Sequence, residues 1–415
     1  MNEKLDEIYN LFVEKNKECN SFFTRNQFDD FVHNELNNNT ALPVNSTFNE
    51  KLDYILENYS KDFIVNSIFK NLSLNNNLSN FNFNNKLNCC LAPHTTLNFD
   101  TRGNIRVCCY NQTHTLGKYP ETSIQEAWNS EKRKQLIHEL SNKNFLLGCE
   151  GCKYQINSGN RSNAHFTRYD NYEQVISNYP IALELECSNV CNFECIMCGG
   201  EYSSLIRRNR ENLPPLKNVY DQKFVEQITH FIPNLLQISF LGGEPFLISL
   251  YENILEQIEK LNPNLTVNIT TNGSIFNSKV LRWLQLKNLN LTVSLDSLNK
   301  YTFESIRVNS NFMQVFSNVR KFLSLKKLKN VAFSPMIQNV KELPSIVEFC
   351  ESNQLSLIIN TVSDSLSKTK CTAMPSFTLN SLPKEEIHSI ISYLSKFKFR
   401  NKQYNDFINY LQKIY

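Results

Sequence analysis

Apolar residues recur at helical intervals through the N-terminal part of the chain, at Leu52, Ile55, Leu56, Tyr59, Phe63, Ile64 and Ile68, and the spacing predicts a helical segment over residues 4–70. From Asn71 to Asn88, nine of eighteen residues are asparagine, a turn-prone, core-poor composition that reads as a linker. From Ile181 onward the period changes. Short β-branched and leucine-rich runs, IALELE, LLQISFL, LTVNITT, LTVSLDS, VAFSPMIQ and LSLIINTV, alternate with helical stretches. Six βα units in succession predict a parallel sheet, and their length predicts a partial (β/α)6 TIM-like barrel within an α/β fold. Helical periodicity returns at Ile387, Ile390, Ile391 and Leu394 and at Phe407, Tyr410 and Leu411, a helical cover for the barrel.

Between the linker and the barrel lies a different pattern. The run CCLAPHTTLNFDTRGNIRVCC sets alternating segments on either side of the turn Asp100-Thr101-Arg102-Gly103, which predicts a β-hairpin bringing Cys89 or Cys90 near Cys108 or Cys109. Ser123-Ile124-Gln125-Glu126 is a capping box, opening a helix through Trp128, Leu136 and Leu140 toward Cys149-Glu150-Gly151-Cys152. The organisation expected is therefore a helical segment with linker (1–88), a small α+β cysteine-bearing domain (89–165), the partial barrel (178–363) and a helical cover (364–415).

Composition changes this picture in two respects. A net charge of +3 with dispersed Lys and Arg over 415 residues gives no basic surface for nucleic acid or anionic membrane. The start MNEKLDEIYN is acidic where a secretory leader is basic, and no run approaches the roughly 18 apolar residues of a membrane span, so the expectation is a cytoplasmic protein without membrane partners. Ten of the 13 cysteines fall between Cys89 and Cys198, with Cys19, Cys350 and Cys371 outside. In a reducing compartment that clustering marks metal sites more readily than disulfides.

Cys191, Cys195 and Cys198 stand at the spacing CxxxCxxC on a loop leaving the first barrel strand. Three thiolates so placed can take three corners of an iron-sulfur cube, leaving one iron without a protein ligand; with Cys187 as a fourth ligand the same loop reads as zinc. Upstream, Cys90 and Cys108, with Cys89 and Cys109 as stand-ins, converge with Cys149 and Cys152, which fits tetrahedral zinc or a fully ligated [4Fe-4S] cluster. His94 and His114 read as solvated. Barrel ligands bind at the C-terminal strand ends. There the second strand carries Gly242-Gly243-Glu244-Pro245, glycines for close backbone approach and a carboxylate suited to an ammonium group. The third and fourth end in Thr270-Thr271-Asn272-Gly273 and Ser294-Leu295-Asp296-Ser297, polar tips suited to the hydroxyls of a ribose or a substrate, or to a helix cap or turn. Arg307 is placed to face a carboxylate or solvent.

CNFECIMC, FLGGEPF, TTNGS and VSLDS, in this order on successive strands, resemble the radical S-adenosylmethionine core, and the preceding cysteine segment resembles the twitch or SPASM auxiliary-cluster domain. The resemblance implies a [4Fe-4S] cluster on Cys191, Cys195 and Cys198 whose free iron chelates S-adenosylmethionine, cleaved to a 5′-deoxyadenosyl radical. It implies that Gly242, Gly243 and Glu244 contact the methionine ammonium, that Asn272, Ser294 and Arg307 contact ribose and carboxylate, and that Met197 lies beside the adenine. One auxiliary [4Fe-4S] cluster on Cys90, Cys108, Cys149 and Cys152 then serves as electron acceptor or relay. Because this segment precedes the core, it is expected to fold back over the barrel mouth.

The partners implied are S-adenosylmethionine, an electron donor such as flavodoxin or ferredoxin, and a substrate. The leading reading is hydrogen abstraction from a peptide or protein side chain with oxidation or crosslinking. The alternatives are dehydrogenation or epimerisation of a sugar or amino alcohol and, from another class, a zinc-binding interaction module. Cys371 is the one hydrogen-donor candidate.

Overall fold

The computed structural model describes residues 6–11, 13, 90–161, 164–170, 179–360, 362 and 378–415. Two compact units divide the chain at Leu87. In the first, residues 6–11 are helical; the rest of the helical stretch read over 4–70, and the asparagine-rich linker, lie outside the described residues, as do Cys89 and Cys371.

The second unit is built on a nine-stranded sheet of order β3-β2-β1-β4-β5-β6-β7-β8-β9. The strands are β1 (Thr96–Phe99), β2 (Asn104–Arg106), β3 (Gly117–Lys118), β4 (Ala182–Leu185), β5 (Gln237–Phe240), β6 (Thr266–Thr271), β7 (Leu289–Ser294), β8 (Leu328–Phe333) and β9 (Ser356–Ile359). From β4 to β9 every neighbouring pair is parallel, the six βα units of the sequence pattern. The helices are α1 (Ala92–Thr95), α2 (Ile124–Trp128), α3 (Glu131–Ser141), α4 (Glu150–Asn157), α5 (Ser204–Asn209), α6 (Gln222–Phe231), α7 (Ser249–Leu261), α8 (Ser278–Trp283), α9 (Lys300–Ile306), α10 (Phe312–Ser324), α11 (Leu343–Ser352), α12 (Lys384–Leu394) and α13 (Lys402–Ile414).

The cysteine-bearing hairpin differs from expectation in where it goes. β1 pairs parallel with β4, Thr96 to Ala182 through Phe99 to Leu185, and β2 and β3 continue antiparallel beyond it. The hairpin extends the leading edge of the barrel sheet instead of lying across its mouth. The physical reason is edge pairing. β4 is buried along its whole length, and a buried strand edge left without a partner would strand its amides and carbonyls. The outward face of β1 packs like its neighbours, with Phe99 edge-on to Phe224 of α6 at 5.1 Å. The turn Asp100–Gly103 therefore sits at the same end as the C-terminal tips of the parallel strands, and Gly103 takes the left-handed φ of +90° that the turn requires.

The capping box is formed: Ser123 Oγ accepts from Glu126 N, and Glu126 accepts from Ser123 N at 2.8 Å. The single helix read from there to Leu140 breaks at Asn129, because Ser130 caps a second one by accepting from Arg133 N. At the C-terminus α12 buries Ile387, Ile390, Ile391 and Leu394, and α13 buries Tyr404, Phe407, Ile408 and Leu411, the faces that the 3.6-residue period marks.

Candidate active site

The loop after β4 carries Cys191, Cys195 and Cys198, and two layers of backbone hold it. On one side Glu194 N and Ile196 N donate to Val308 O at 3.0 Å and Ile306 O at 2.9 Å. On the other, Gly243 N and Glu244 N donate to Ser188 O at 2.9 Å and Val190 O at 2.8 Å. The paired glycines are explained by this second contact. A Cβ on Gly242, whose φ is +103°, would stand 2.7 Å from Ser188 O, and one on Gly243 would stand 2.1 Å from Val190 O. Their close approach is first to the cysteine loop. Arg210 Nη2 closes the turn by donating to the carbonyls of Glu194 at 2.7 Å and Cys195 at 2.9 Å.

The three thiols lie within electrostatic range of one another. Burial pushes Cys191 up to about 11, and burial raises Cys195 and Cys198 as well. They are neutral thiols at neutral pH until a cation draws off their protons. Cys187 is 2% exposed, packs in the core, and is next to Tyr251 of α7, whose hydroxyl accepts its backbone N–H at 3.0 Å. The loop thus offers three thiols together and a fourth turned away.

Glu244 lies inside the fold, at the junction of β5 and β6. It is 0% exposed, and its carboxylate accepts three internal hydrogen bonds: Thr271 Oγ1 donates to it at 2.7 Å, Asn272 N at 2.7 Å and Phe246 N at 3.3 Å. Burial raises it to about 7 against those hydrogen bonds. It ties the tips of β5 and β6 together. Asn272 is brought to the thiols, with Nδ2 donating to Asn192 Oδ1 at 2.9 Å and 4.0 Å from Cys191 Sγ. Ser294 is half-buried at the end of β7. Met197 packs with Ile306 and Met336. Arg307 does face a carboxylate, the protein's own: Nη2 lies 2.6 Å from Asp296 Oδ2, and Nη1 donates toward Cys195 Sγ at 3.9 Å. Burial works against its charge, but Asp296 outweighs that, so the guanidinium stays protonated.

Cys90, Cys108, Cys149 and Cys152 converge from three segments. Burial comes first in raising each; Cys149 and Cys152 also act on Cys90 and Cys108, and Cys152 acts on Cys149. Cys108 and Cys149 are pushed up to about 12 and Cys152 to about 11. Cys109 lies near Glu184, Glu186 and Arg168 as well as Cys108, and Glu184 acts on Cys108 too. Asn111, which sequence reasoning missed, stitches this site. Its N–H donates to Cys108 Sγ at 3.4 Å and its Nδ2 donates to Cys149 Sγ at 3.6 Å and Leu147 O at 2.8 Å. Gly148, at φ +81°, makes room for it, since a Cβ there would be 2.1 Å from Asn111 Oδ1. The adjacent Gly148-Cys149 pair was the available signal. His94 is lowered to about 4 by burial and by Arg133, and the His114 ring bonds Lys132 O at 2.9 Å. At both sites the thiols stand within electrostatic range without closing to the spacing of a single metal ion among the described residues.

Between the two sites runs a polar row. Arg106, Asn98, Glu184, Ser239, Asn268 and Asn290 stand in register on six adjacent strands. Arg106 Nη2 donates to Asn98 Oδ1 at 2.9 Å, Asn268 Nδ2 to Ser239 Oγ at 3.3 Å and Asn290 Nδ2 to Asn268 Oδ1 at 3.0 Å. Their strand neighbours Leu97, Leu183, Ile238, Val267 and Leu291 are buried in the apolar core, so this row occupies the opposite, inner face. A packed barrel interior would be branched and apolar; this one carries hydrogen-bonding side chains. Glu186 extends the row toward the mouth, with Arg106 Nη2 3.4 Å away, and Tyr202 faces both Glu186 and Cys198.

The Radical SAM superfamily model matches residues 185–350, and the SPASM iron-sulfur cluster-binding domain model matches residues 89–153. The GTP 3′,8-cyclase of Clostridium botulinum (strain Hall) is 26% identical over 145 residues, 34% of this chain and 43% of that protein. The probable GTP 3′,8-cyclase of Methanocaldococcus jannaschii is 29% identical over 173 residues, 41% of this chain and 54% of that protein. The chain thus spans about half the length of these curated relatives. Among solved structures, native anSMEcpe with bound AdoMet superposes with a TM-score of 0.42 at 20% identity, over 55% of this chain and 62% of that one. Streptococcus suis SuiB bound to S-adenosylmethionine superposes with a TM-score of 0.40 at 16% identity, over 63% and 61%.

Proposed function

The chain belongs to the radical S-adenosylmethionine superfamily and carries an iron-sulfur SPASM domain, and from that premise we propose that it abstracts hydrogen from a peptide or protein side chain and oxidises or crosslinks the product. Cys191, Cys195 and Cys198 would hold one [4Fe-4S] cluster, and Cys90, Cys108, Cys149 and Cys152 a second. The observation that carries the reading is the three-thiol loop itself. Its fourth candidate, Cys187, is buried in the core, so a cube on this loop keeps one iron open.

When bound, the first cluster supplies the electron that cleaves S-adenosylmethionine to methionine and a 5′-deoxyadenosyl radical. The residues of the chain orient and shield. The Gly242–Glu244 backbone accepts from the methionine ammonium, Asn272 and Ser294 offer polar tips to the ribose, and Met197 offers an apolar surface to the adenine. Two features support an oxidised peptide product. Four thiols leave the second cluster no open iron, which suits electron transfer over substrate ligation. The inner row of carboxamides, hydroxyl and carboxylate complements amide groups. The second reading, radical chemistry on a small molecule such as a sugar or amino alcohol, is favoured by the likeness to proteins named as GTP 3′,8-cyclases.

Anaerobic reconstitution tests the scheme: about eight irons per chain are expected for two cubes, with reductant-dependent release of 5′-deoxyadenosine. Colourless protein rich in zinc would overturn it. Deuterium transfer into 5′-deoxyadenosine from labelled candidate peptides, against labelled sugars or amino alcohols, separates the two substrate readings.

A further inference from the structure

Arg307 stands where α9 ends, 6% exposed, and its guanidinium has no mobility left to spend on a distant ligand. Nη2 is against Asp296 Oδ2 at 2.6 Å. Asp296 is 0% exposed and fixed in turn: Ser334 N donates to its Oδ1 at 2.8 Å, and Asn339 Nδ2 donates to its backbone carbonyl at 2.9 Å. That anchor aims Nη1 at Cys195 Sγ, 3.9 Å away. Nε is buried with no hydrogen-bond partner among the described residues.

A buried ion pair costs desolvation on both partners and persists when further polar contacts complete it. Here the pair is incomplete as long as the loop carries only neutral thiols, because a thiol is a weak acceptor. A thiolate bound to iron carries the charge that would complete it. The field also acts on electrons: a fixed cation beside the loop stabilises the more negative, reduced state of a cluster, and hydrogen bonds to its sulfurs raise the potential.

We propose that Arg307, steered by Asp296, is a positioning residue that sets the reduction potential of the cluster on Cys191, Cys195 and Cys198, and is not a clamp for the carboxylate of S-adenosylmethionine. This rests on the reading that the loop holds a cluster. It assigns the two partners opposite signs: Arg307 raises the potential, and Asp296 partly cancels it.

The test is an EPR-monitored redox titration of the anaerobically reconstituted full chain, with dithionite as reductant. The open-iron signal is identified by its change on adding S-adenosylmethionine. R307Q is expected to lower the reduced-to-oxidised ratio at a fixed potential about tenfold, a midpoint about 59 mV more negative, and D296N to move it the other way. R307K, which keeps the charge but loses the fork, should fall between R307Q and the unaltered chain, and it serves if R307Q does not fold. An unchanged midpoint in R307Q or R307K with full iron content, or shifts of the same sign in R307Q and D296N, overturns the proposal. Absence of the open-iron signal from the unaltered chain would instead overturn the functional reading above.

Discussion

The two thiol sites of this protein are assembled in opposite ways. Cys191, Cys195 and Cys198 lie within eight residues on one loop, and the fold's task is to clamp that loop between the Gly242–Glu244 backbone and the Ile306–Val308 segment. Cys90, Cys108, Cys149 and Cys152 come from three segments, which the pairing of β1 with β2 and the bridge from Asn111 to Cys108 and Cys149 help bring together. The first site is robust to the rest of the fold but sensitive to its clamp. The second depends on tertiary structure throughout.

Replacing Cys195 by Ser is the most severe way to break this comparison: 5′-deoxyadenosine release should fall to background while the second site keeps its iron, as read by iron analysis and EPR. The double change C149A/C152A should do the reverse, leaving reductant-dependent cleavage of S-adenosylmethionine measurable and removing oxidised product. Equal loss of cleavage in both would mean that the sites are not separable.

Gly243→Ala tests the clamp. Its Cβ would meet Val190 O at 2.1 Å, so the cysteine loop must shift, and a displacement of that order costs about 10²-fold in rate. S-adenosylmethionine cleavage should drop accordingly, with the four-thiol EPR signal unchanged. Asn111→Ala tests the second site. Loss of its side-chain donors to Cys149 and Leu147, with the backbone donor to Cys108 retained, should destabilise the protein by about 1–3 kcal/mol, measured by chemical denaturation, and lower iron occupancy at that site alone.

The smallest effect concerns the ground between the sites. Glu186 is raised to about 7, chiefly by burial, against Arg106. The native chain therefore holds a proton that the unfolded chain releases near an ordinary carboxylate value. The associated stability is present below that value and lost as pH rises through about 7, a difference on the order of 3 kcal/mol at most. Thermal midpoints should be lower at pH 8 than at pH 5.5, and E186Q should flatten the profile.

Much of this architecture is legible in the chain before it is folded. The period-2 runs from IALELE to LSLIINTV became β4 to β9 in parallel order, because alternation and length are local consequences of a strand with a helix-covered face. Side-chain direction was less accessible. Glu244 reads as a ligand carboxylate by its neighbours Gly242 and Gly243, yet it points inward to Thr271 and Asn272, which lie 27 and 28 residues away in sequence. The doubled cysteines left the register open. In the fold Cys108 lies within range of Cys149 and Cys152 and also of Glu184, which acts on Cys109 as well. The destination of the hairpin was also hidden, because edge pairing between β1 and β4 joins residues 86 apart.

By itself, then, the sequence determined what is set by short-range geometry: the three-thiol loop, the strand and helix periods, the capping box and the glycine pair. Tertiary structure alone decided which thiols of the second site meet, that Arg307 answers to Asp296 and Cys195, and that a polar row lines the inner face. Those depend on register and burial across distant segments, where neighbouring residues in the chain carry no information about which charge will share their low-dielectric surroundings.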